Sequence, residues 1–236
     1  MPLADRVVAI PGATGAAGRA AVSAFAAERS KVGLIGTDAE KLRSLAVDLD
    51  LSDGRWHGAT GDVTKADDVR RLVAEISSTL GPIDVLVHVV GGWLGGTPAV
   101  DLDHADVATS FDQHVFSTLH MVQAVVPGMV ERGWGRIFAI SQPLATEPGP
   151  RGGGYLMAKA AQEVMLRSLA RDLAGSGVTA NLLIVKTIDK DHERDSEPTT
   201  KNAQWTTPEE IARAMVMLCG DAAATINGAR IPLFGR

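Results

Sequence analysis

Short apolar runs alternate along this chain with longer stretches in which apolar residues recur at helical spacing. The runs occupy residues 6–10, 31–35, 83–87, 136–140, 178–185 and 230–233, and a further short strand leads to residue 61. They are rich in β-branched residues, which is typical of strands buried inside a parallel sheet. The pattern therefore predicts a series of strand-helix units.

Helical patterns fill most of the intervals between these runs. The predicted helices cover residues 16–28, a segment from about 38, a segment after 64, about 105–131, 155–174 and a last one from 208. In the third, Thr64 is the predicted N-cap, residues 69, 72, 73, 76 and 80 form one apolar face, and Gly81-Pro82 ends the helix. Repeated strand-helix units predict an α/β fold, a single doubly wound parallel sheet of the Rossmann type with helices on both faces.

Composition limits the function classes that this fold is expected to serve. At 236 residues with 45% hydrophobic content, the chain is expected to form one domain, residues 1–236. A net charge of -5 argues against a nucleic-acid partner. The lone Cys219 excludes an intrachain disulfide, and the sequence has neither a signal-type leader nor a long apolar run, so we expect a cytoplasmic protein without membrane contact. The histidines show no metal-ligand spacing, so no metal is expected.

Three glycines follow the first strand and precede the first helix. Gly12 is expected to form a tight turn, Gly15 to let a pyrophosphate approach the backbone, and Gly18 to let the helix pack on the sheet. The alternative is a chance cluster, since the chain holds 25 glycines. The strand-turn-helix context favours a dinucleotide site.

Tyr155 and Lys159 lie four residues apart in a predicted helix and therefore share one face. A lysine ammonium beside a phenol favours the phenolate, so the tyrosine can donate and accept a proton near neutral pH. This pair predicts reductase chemistry on a small-molecule substrate.

The order of these motifs resembles the short-chain dehydrogenase/reductase family over essentially the whole chain. The matching features are the glycine turn, Asp62-Val63, the Gly91 loop after the fourth strand, Tyr155 with Lys159, Asn181 and the helix opened by Pro208. The resemblance implies that Tyr155 transfers the proton, that Lys159 lowers the tyrosine pKa and binds the nicotinamide ribose, and that Asp62 binds the adenine ring. It also implies a homo-oligomer, a dimer or a tetramer.

The resemblance further implies a nucleotide-binding set. Its members are Gly12, Thr14, Gly15, Ala17, Gly18, Thr37, Asp62, Val63, Gly91, Lys159, Thr187 and Ile188. The second strand ends at Gly36 without an acid to grip a ribose 2′-hydroxyl, which favours NADP, with NAD as the alternative. Thr37 and Arg19 are the candidates for a 2′-phosphate.

Two positions depart from the family pattern at the catalytic centre. The position of the usual serine is Gln142, with Ser141 beside it, and the usual helical asparagine falls on His114. Gln142 is either a hydrogen-bonding group for substrate or a filler, and His114 either holds a relay water or satisfies a backbone group. Either the substrate does not need the serine, or the chemistry has been lost.

One branch of the family shares several local features with this chain. The glycine-flanked Trp93, Met157 between Tyr155 and Lys159, and residues 187–189 and 205–210 resemble quinonoid dihydropteridine reductase. That resemblance implies a flat, nitrogen-rich heterocyclic substrate stacked on Trp93; alternatively, Trp93 plugs its loop against the core. The other functions left open are an ordinary ketone reductase and a nucleotide-binding sensor or scaffold. Met121, Val125 and Met165 are predicted to be core or subunit interface.

Overall fold

All the strands belong to one parallel sheet. The structure, a computed structural model, describes residues 3–234. The strands are β1 (Val7–Pro11), β2 (Lys31–Gly36), β3 (Trp56–Thr60), β4 (Ile83–His88), β5 (Gly135–Ser141), β6 (Val178–Ile184) and β7 (Arg230–Pro232). Their order across the sheet is β3-β2-β1-β4-β5-β6-β7, and every neighbouring pair is parallel. The predicted doubly wound α/β fold is confirmed.

Helices cover both faces of this sheet. They are α1 (Ala16–Ala27), α2 (Ala39–Asp48), α3 (Ala66–Leu80), α4 (His104–Phe111), α5 (Ser117–Glu131), α6 (Gly153–Asp172), α7 (Glu193–Ser196) and α8 (Pro208–Leu218). Between α4 and α5, Asp112–Phe116 forms a π-helical turn. Short 3₁₀ turns cover Ala99–Asp101, Pro143–Ala145 and Asp221–Ala223. None of the helices in this described portion is long and apolar enough to cross a membrane.

The core consists of two apolar layers separated by the sheet. Alternate residues of β1 point to opposite faces, so Val7 and Ala9 join one layer while Val8 and Ile10 join the other. Helices α3, α5 and α6 cover the first layer, and helices α1, α2 and α8 cover the second. Burial on both faces explains why most of the strand residues are apolar.

Two local expectations are corrected by the structure, and one alternative is decided. Helix α3 begins at Ala66, and the Thr64 hydroxyl donates to Asp62 instead of capping the helix. The predicted helix over 105–131 contains the π turn, where the Ser117 amide reaches back to the Asp112 carbonyl. Of the alternatives core and subunit interface, Met121 and Val125 belong to the core, since they are 0% and 4% exposed.

The carboxyl ends of the strands form the edge at which a site is expected. The chain moves outward from β1 to β3 and then returns to place β4 on the other side of β1. The segments that follow β1 and β4 therefore diverge and leave a crevice between them. Because all the strands are parallel, the segments after β5 and β6 reach the same edge.

Candidate active site

The glycine turn after β1 has little room for side chains at two of its three positions. Gly12 has φ +85°, and a Cβ there would lie 2.8 Å from the Val89 carbonyl oxygen. A Cβ on Gly18 would lie 2.1 Å from the Gly12 carbonyl oxygen. At Gly15 a Cβ would meet only that same oxygen, at 3.4 Å, so the space outside Gly15 is not filled by protein. The turn packs closely on the sheet and stays open at the N-terminus of α1.

We expect Gly18→Ala to lower the free energy of unfolding by about 1–3 kcal/mol, because backbone atoms, not a flexible side chain, must shift. Chemical denaturation of the two proteins would measure the change. Gly54→Ala is a useful comparison for added side-chain volume, since a Cβ there meets no atom within 4 Å, although its φ of +75° carries a separate backbone cost. A Gly18→Ala protein as stable as the native one would contradict the close packing.

Tyr155 lies in the first turn of α6, with its ring between two other rings. The ring centroid is 4.8 Å from that of Trp93 and 5.1 Å from that of His114, both in edge contacts. Burial raises the pKa of Tyr155 to about 12, so the prediction that Lys159 lowers this pKa toward neutral pH is corrected for the protein without bound nucleotide. The group is therefore a neutral phenol at neutral pH, the form that a proton donor requires.

Lys159 lies one helical turn after Tyr155 and is 6% exposed. Its Nζ donates to the Ile140 carbonyl oxygen at 2.8 Å and to Gln162 Oε1 at 3.0 Å. Burial lowers the pKa of Lys159 to about 8, and the nearby Glu163 carboxylate opposes this change. The side chain is mostly a cation at neutral pH, and it lines the same cleft as Tyr155.

His114 lies in the π turn, and its ring packs against Gly91. Its Nε2 is 3.2 Å from the Gly92 carbonyl oxygen. A carbonyl only accepts, so Nε2 carries the hydrogen and Nδ1 presents a lone pair. Burial lowers the pKa of His114 to about 3, which keeps the ring neutral. Nδ1 is buried and has no hydrogen-bond partner within residues 3–234.

Ser141 and Gln142 leave β5 at the floor of the crevice. The Ser141 hydroxyl and the Gln142 amide nitrogen are both buried, and neither has a partner among the described residues. Buried polar groups normally find partners, so unpaired groups that line a cleft are expected to bind a ligand. Both residues line the cleft, although only Gln142 is a predicted site residue.

A cleft of about 550 Å³ connects these groups. Of the predicted site residues it brings together Ala17, Gly91, Trp93, His114, Gln142, Tyr155, Lys159, Thr187 and Ile188. The other predicted residues do not line this cleft. Gly12, Thr14, Gly15 and Gly18 lie in or beside the turn after β1, Thr37 follows β2, and Asp62 and Val63 follow β3. Because β1, β2 and β3 are adjacent and parallel, these positions continue the same edge of the sheet.

Comparison with known proteins agrees with this architecture. The family described as enoyl-(acyl carrier protein) reductase matches residues 12–233. A solved structure of a short chain dehydrogenase from Bacillus anthracis superposes with a TM-score of 0.87 at 27% identity, covering 99% of this chain and 96% of that one. This chain belongs to the short-chain dehydrogenase/reductase family.

Similar members of the family carry different activities in their names. The oxidoreductase YvrD of Bacillus subtilis is 27% identical over 97% of this chain and 94% of its own length. Acetoacetyl-CoA reductase of Allochromatium vinosum is 32% identical over 75% of this chain and 74% of its own length. This short-chain dehydrogenase/reductase is thus an oxidoreductase of a family that uses NAD(P), and the relatives do not define its substrate.

The glycine turn of this family member fits a dinucleotide. Helix α1 begins after Gly15 with no side-chain cap and no acidic residue in its first turn. Amide groups at a helix N-terminus without a competing carboxylate suit a pyrophosphate. Residues 12–18 would hold the phosphates, and Lys159 and Thr187 would face the nicotinamide half of the cleft.

The residues predicted to bind the adenosine half of the nucleotide, Thr37 and Asp62, are not fully buried. Asp62 Oδ1 accepts hydrogen bonds from the amide and hydroxyl of Thr64 at 2.9 and 2.7 Å. Thr37 is exposed after β2. Arg19 pairs with Asp48 at 3.1 Å, at the far end of α2 from Thr37. The suggestion that Arg19 reaches a 2′-phosphate is therefore not supported.

Trp93 and Trp205 lie in the two connections that border the cleft. Trp93 is 59% exposed, so the alternative that it plugs its loop against the core is wrong. The Trp205 carbonyl accepts from Arg194 at 2.7 Å, and Arg194 also forms a two-armed ion pair with Glu210 at 2.8 and 3.1 Å. This pair fastens the polar segment 186–206 to the first turn of α8.

Two buried polar residues at the site, Gln162 and Thr118, are not among the predicted site residues. Gln162 is 1% exposed and contacts Lys159, and Thr118 is 0% exposed and contacts Gln162. The sequence offers one indication of such a residue, a polar side chain on the buried face of a predicted helix. Its partner lies on another helix, which spacing along the chain does not reveal.

Proposed function

We propose that this protein is an NAD(P)H-dependent reductase that reduces a planar substrate with a polar double bond, with Tyr155 as the proton donor. The observation that supports this proposal most directly is that the neutral Tyr155 phenol and the Lys159 cation line the same cleft. The substrate class we favour is a flat, nitrogen-rich heterocycle of the dihydropteridine kind.

The residues of the chain supply the proton and the electrostatic support. A bound reduced nicotinamide would supply hydride to the electrophilic position of the substrate's conjugated double bonds. The Tyr155 hydroxyl donates its proton to the substrate nitrogen or oxygen that takes up the negative charge, and the Lys159 ammonium stabilises the phenolate that remains. The Gln142 amide nitrogen, a buried donor without a partner in residues 3–234, donates a hydrogen bond to the substrate where the family serine usually does.

The walls of the cleft suit a flat ring. The indole of Trp93 forms one wall over Tyr155, and Leu144 supplies an apolar surface from the segment after β5. The Gln142 donor and the His114 Nδ1 acceptor are both buried and unpaired within the described residues. A heterocycle with ring nitrogens and an amide edge carries matching acceptors and donors.

We favour NADPH as the reductant, since no acidic side chain occupies position 36, where it would repel a 2′-phosphate. Asp38 follows nearby, but its carboxylate accepts from the Glu40 and Lys41 amides as the N-cap of α2. We also propose a homo-oligomer. The exposed apolar side chains Phe116, Met157 and Val164, on the π turn and α6, support this.

The assay follows oxidation of NADPH and NADH with a freshly generated quinonoid dihydropterin and, separately, with a 3-oxoacyl thioester. Turnover of the pterin, faster with NADPH, is the expected result. Turnover of the thioester alone would favour a ketone substrate over the pterin. This second candidate is supported by the buried Ser141 hydroxyl, which has no partner among the described residues. Nucleotide binding without turnover of either compound would count against both.

We expect Trp93→Ala to raise KM for the planar substrate about tenfold, because the aromatic wall is lost while the proton donor remains. Trp93→Phe retains a ring and is expected to stay within about threefold of the native KM. Val100→Ala, at a side chain 91% exposed beyond the same loop, is the control. Steady-state kinetics distinguish the outcomes, and an unchanged KM in the alanine variant would exclude substrate stacking on Trp93.

A further inference from the structure

The cation at the active site is fixed by a chain of hydrogen bonds that crosses between two helices. Lys159 Nζ donates to Gln162 Oε1 at 3.0 Å, and Gln162 Nε2 donates to Thr118 Oγ1 at 2.8 Å. The Thr118 hydroxyl donates to the His114 carbonyl oxygen at 2.6 Å. The chain thus runs from α6 through α5 to the π turn.

Every link of this chain is buried. Gln162 is 1% exposed, Thr118 is 0% exposed and Lys159 is 6% exposed. Burying an amide is costly unless it is hydrogen-bonded, and both ends of the Gln162 amide are bonded here. The amide orientation is fixed, since an ammonium only donates and Gln162 must therefore present its oxygen to Lys159.

The direction of the donors decides what the chain does. Each donor points away from Lys159, and the last acceptor is a backbone carbonyl, which does not ionise. An amide carbonyl does not pass protons on at neutral pH either. The chain is therefore suited to hold the ammonium in its charged form and in one orientation, and it is unsuited to carry protons to solvent.

We propose that Gln162 is a positioning residue that holds Lys159 protonated and oriented for the reaction, with Thr118 fixing the Gln162 amide. This inference rests on the proposed reductase function. The Ile140 carbonyl and Gln162 accept two of the three Lys159 N–H groups, which leaves one N–H available to a ligand in the cleft that Lys159 lines.

Other ionisable groups also face Lys159. Tyr155 and Glu163 lie on the same helix, and the Glu163 carboxylate favours the ammonium while binding Arg230 at 2.7 Å. His88 from β4 and His114 from the π turn interact with the Lys159 charge, and burial lowers the pKa of each imidazole to about 3. Both imidazoles stay neutral while Lys159 titrates. Gln162 and the Ile140 carbonyl are the acceptors that contact its ammonium within the described residues.

The test measures the ionisation of Lys159 directly. The chain contains seven lysines, so ¹³C NMR of the lysine ε-carbons resolves each one during a pH titration, and Lys159→Met assigns the signal. Gln162→Met removes the acceptor at nearly constant volume and is expected to raise the proton-dissociation constant of Lys159 about tenfold. Gln162→Glu places a carboxylate beside the ammonium and is expected to lower that constant.

Two further variants complete the design. Thr118→Val leaves the Lys159 contact intact but releases the amide, and its effect on the dissociation constant should be in the same direction as that of Gln162→Met and smaller. Thr179→Val removes a buried hydroxyl that has no partner within residues 3–234. Thr179 lies near the start of β6, away from the edge of the sheet where the cleft lies, so the dissociation constant of Lys159 should stay unchanged. It also shows the effect of a comparable buried substitution.

The result separates this inference from the proposed function. Opposite effects of Gln162→Met and Gln162→Glu support the positioning role even if no substrate is turned over, because the titration needs no activity. If turnover is observed, the pH profile of kcat should shift in the same two directions. A Lys159 dissociation constant that stays within twofold of the native value in both Gln162 variants would overturn the inference. If Gln162→Met does not fold, Thr118→Val with an unchanged constant would overturn it.

Discussion

Replacing Tyr155 with phenylalanine should lower kcat about a hundredfold to ten-thousandfold, the contribution typical of a positioned general acid. The substitution removes only the hydroxyl and keeps the ring that packs between Trp93 and His114. The fold should therefore be unchanged, and the dissociation constant for NADPH should remain within about twofold of the native value. Single-turnover kinetics with NADPH and the quinonoid dihydropterin measure the chemical step, and fluorescence titration measures the nucleotide affinity.

The lone tyrosine of the chain makes this prediction easy to control. Tyrosinate absorbance in the native protein reports on Tyr155 alone, and it should appear only at high pH because burial raises the pKa of Tyr155 to about 12. The absorbance change should be absent from the phenylalanine variant. Native-like turnover by Tyr155→Phe would remove the proton-donor assignment. If neither protein turns over substrate but both bind nucleotide, the alternative of a nucleotide-binding sensor or scaffold is favoured.

The fold was predictable because its main signals are local. Strands β1, β4 and β6 are buried on both faces, so most residues in each are apolar and composition indicates a buried strand. The π turn at Asp112–Phe116 and the short helix α7 were not predicted. The start of α3 was misplaced because Thr64 has a cap-forming side chain that instead hydrogen-bonds to Asp62.

The candidate site was predictable only where its residues are close in sequence. Tyr155 and Lys159 share a helix face, so their spacing already places them together. The contact between Gln162 and Thr118 joins residues 44 positions apart on different helices, and no periodicity indicates it. The tautomer of His114 likewise depends on the Gly92 carbonyl, which belongs to the connection after β4. Such contacts follow from how α5 and α6 pack on the sheet.

The free energy of unfolding of the native protein, relative to that of Lys159→Met, should be lower below pH 8 than at high pH. Burial lowers the pKa of Lys159 from its ordinary 10.5 to about 8. Below pH 8 both the folded and the unfolded chain carry the charge, and the folded protein bears the whole cost of burying it. Above pH 10.5 neither state is charged there, and the cost disappears. Between these limits the unfolded chain binds the extra proton, so the native protein gains stability as pH rises.

The expected gain, relative to Lys159→Met, is about 3 kcal/mol between pH 8 and 10.5, and the methionine variant should also lose nearly all reductase activity. Urea unfolding of both proteins across this range measures the difference, and other titrating groups cancel because both chains contain them. Lys41→Met is the matched control, since the Lys41 side chain is 73% exposed and pays no burial cost. A difference between native and Lys159→Met that does not change with pH would show that the folded and unfolded proteins hold this proton equally well. Burial of the Lys159 charge would then not destabilise the folded protein. The phenolate would have to be stabilised by the bound nucleotide and the substrate.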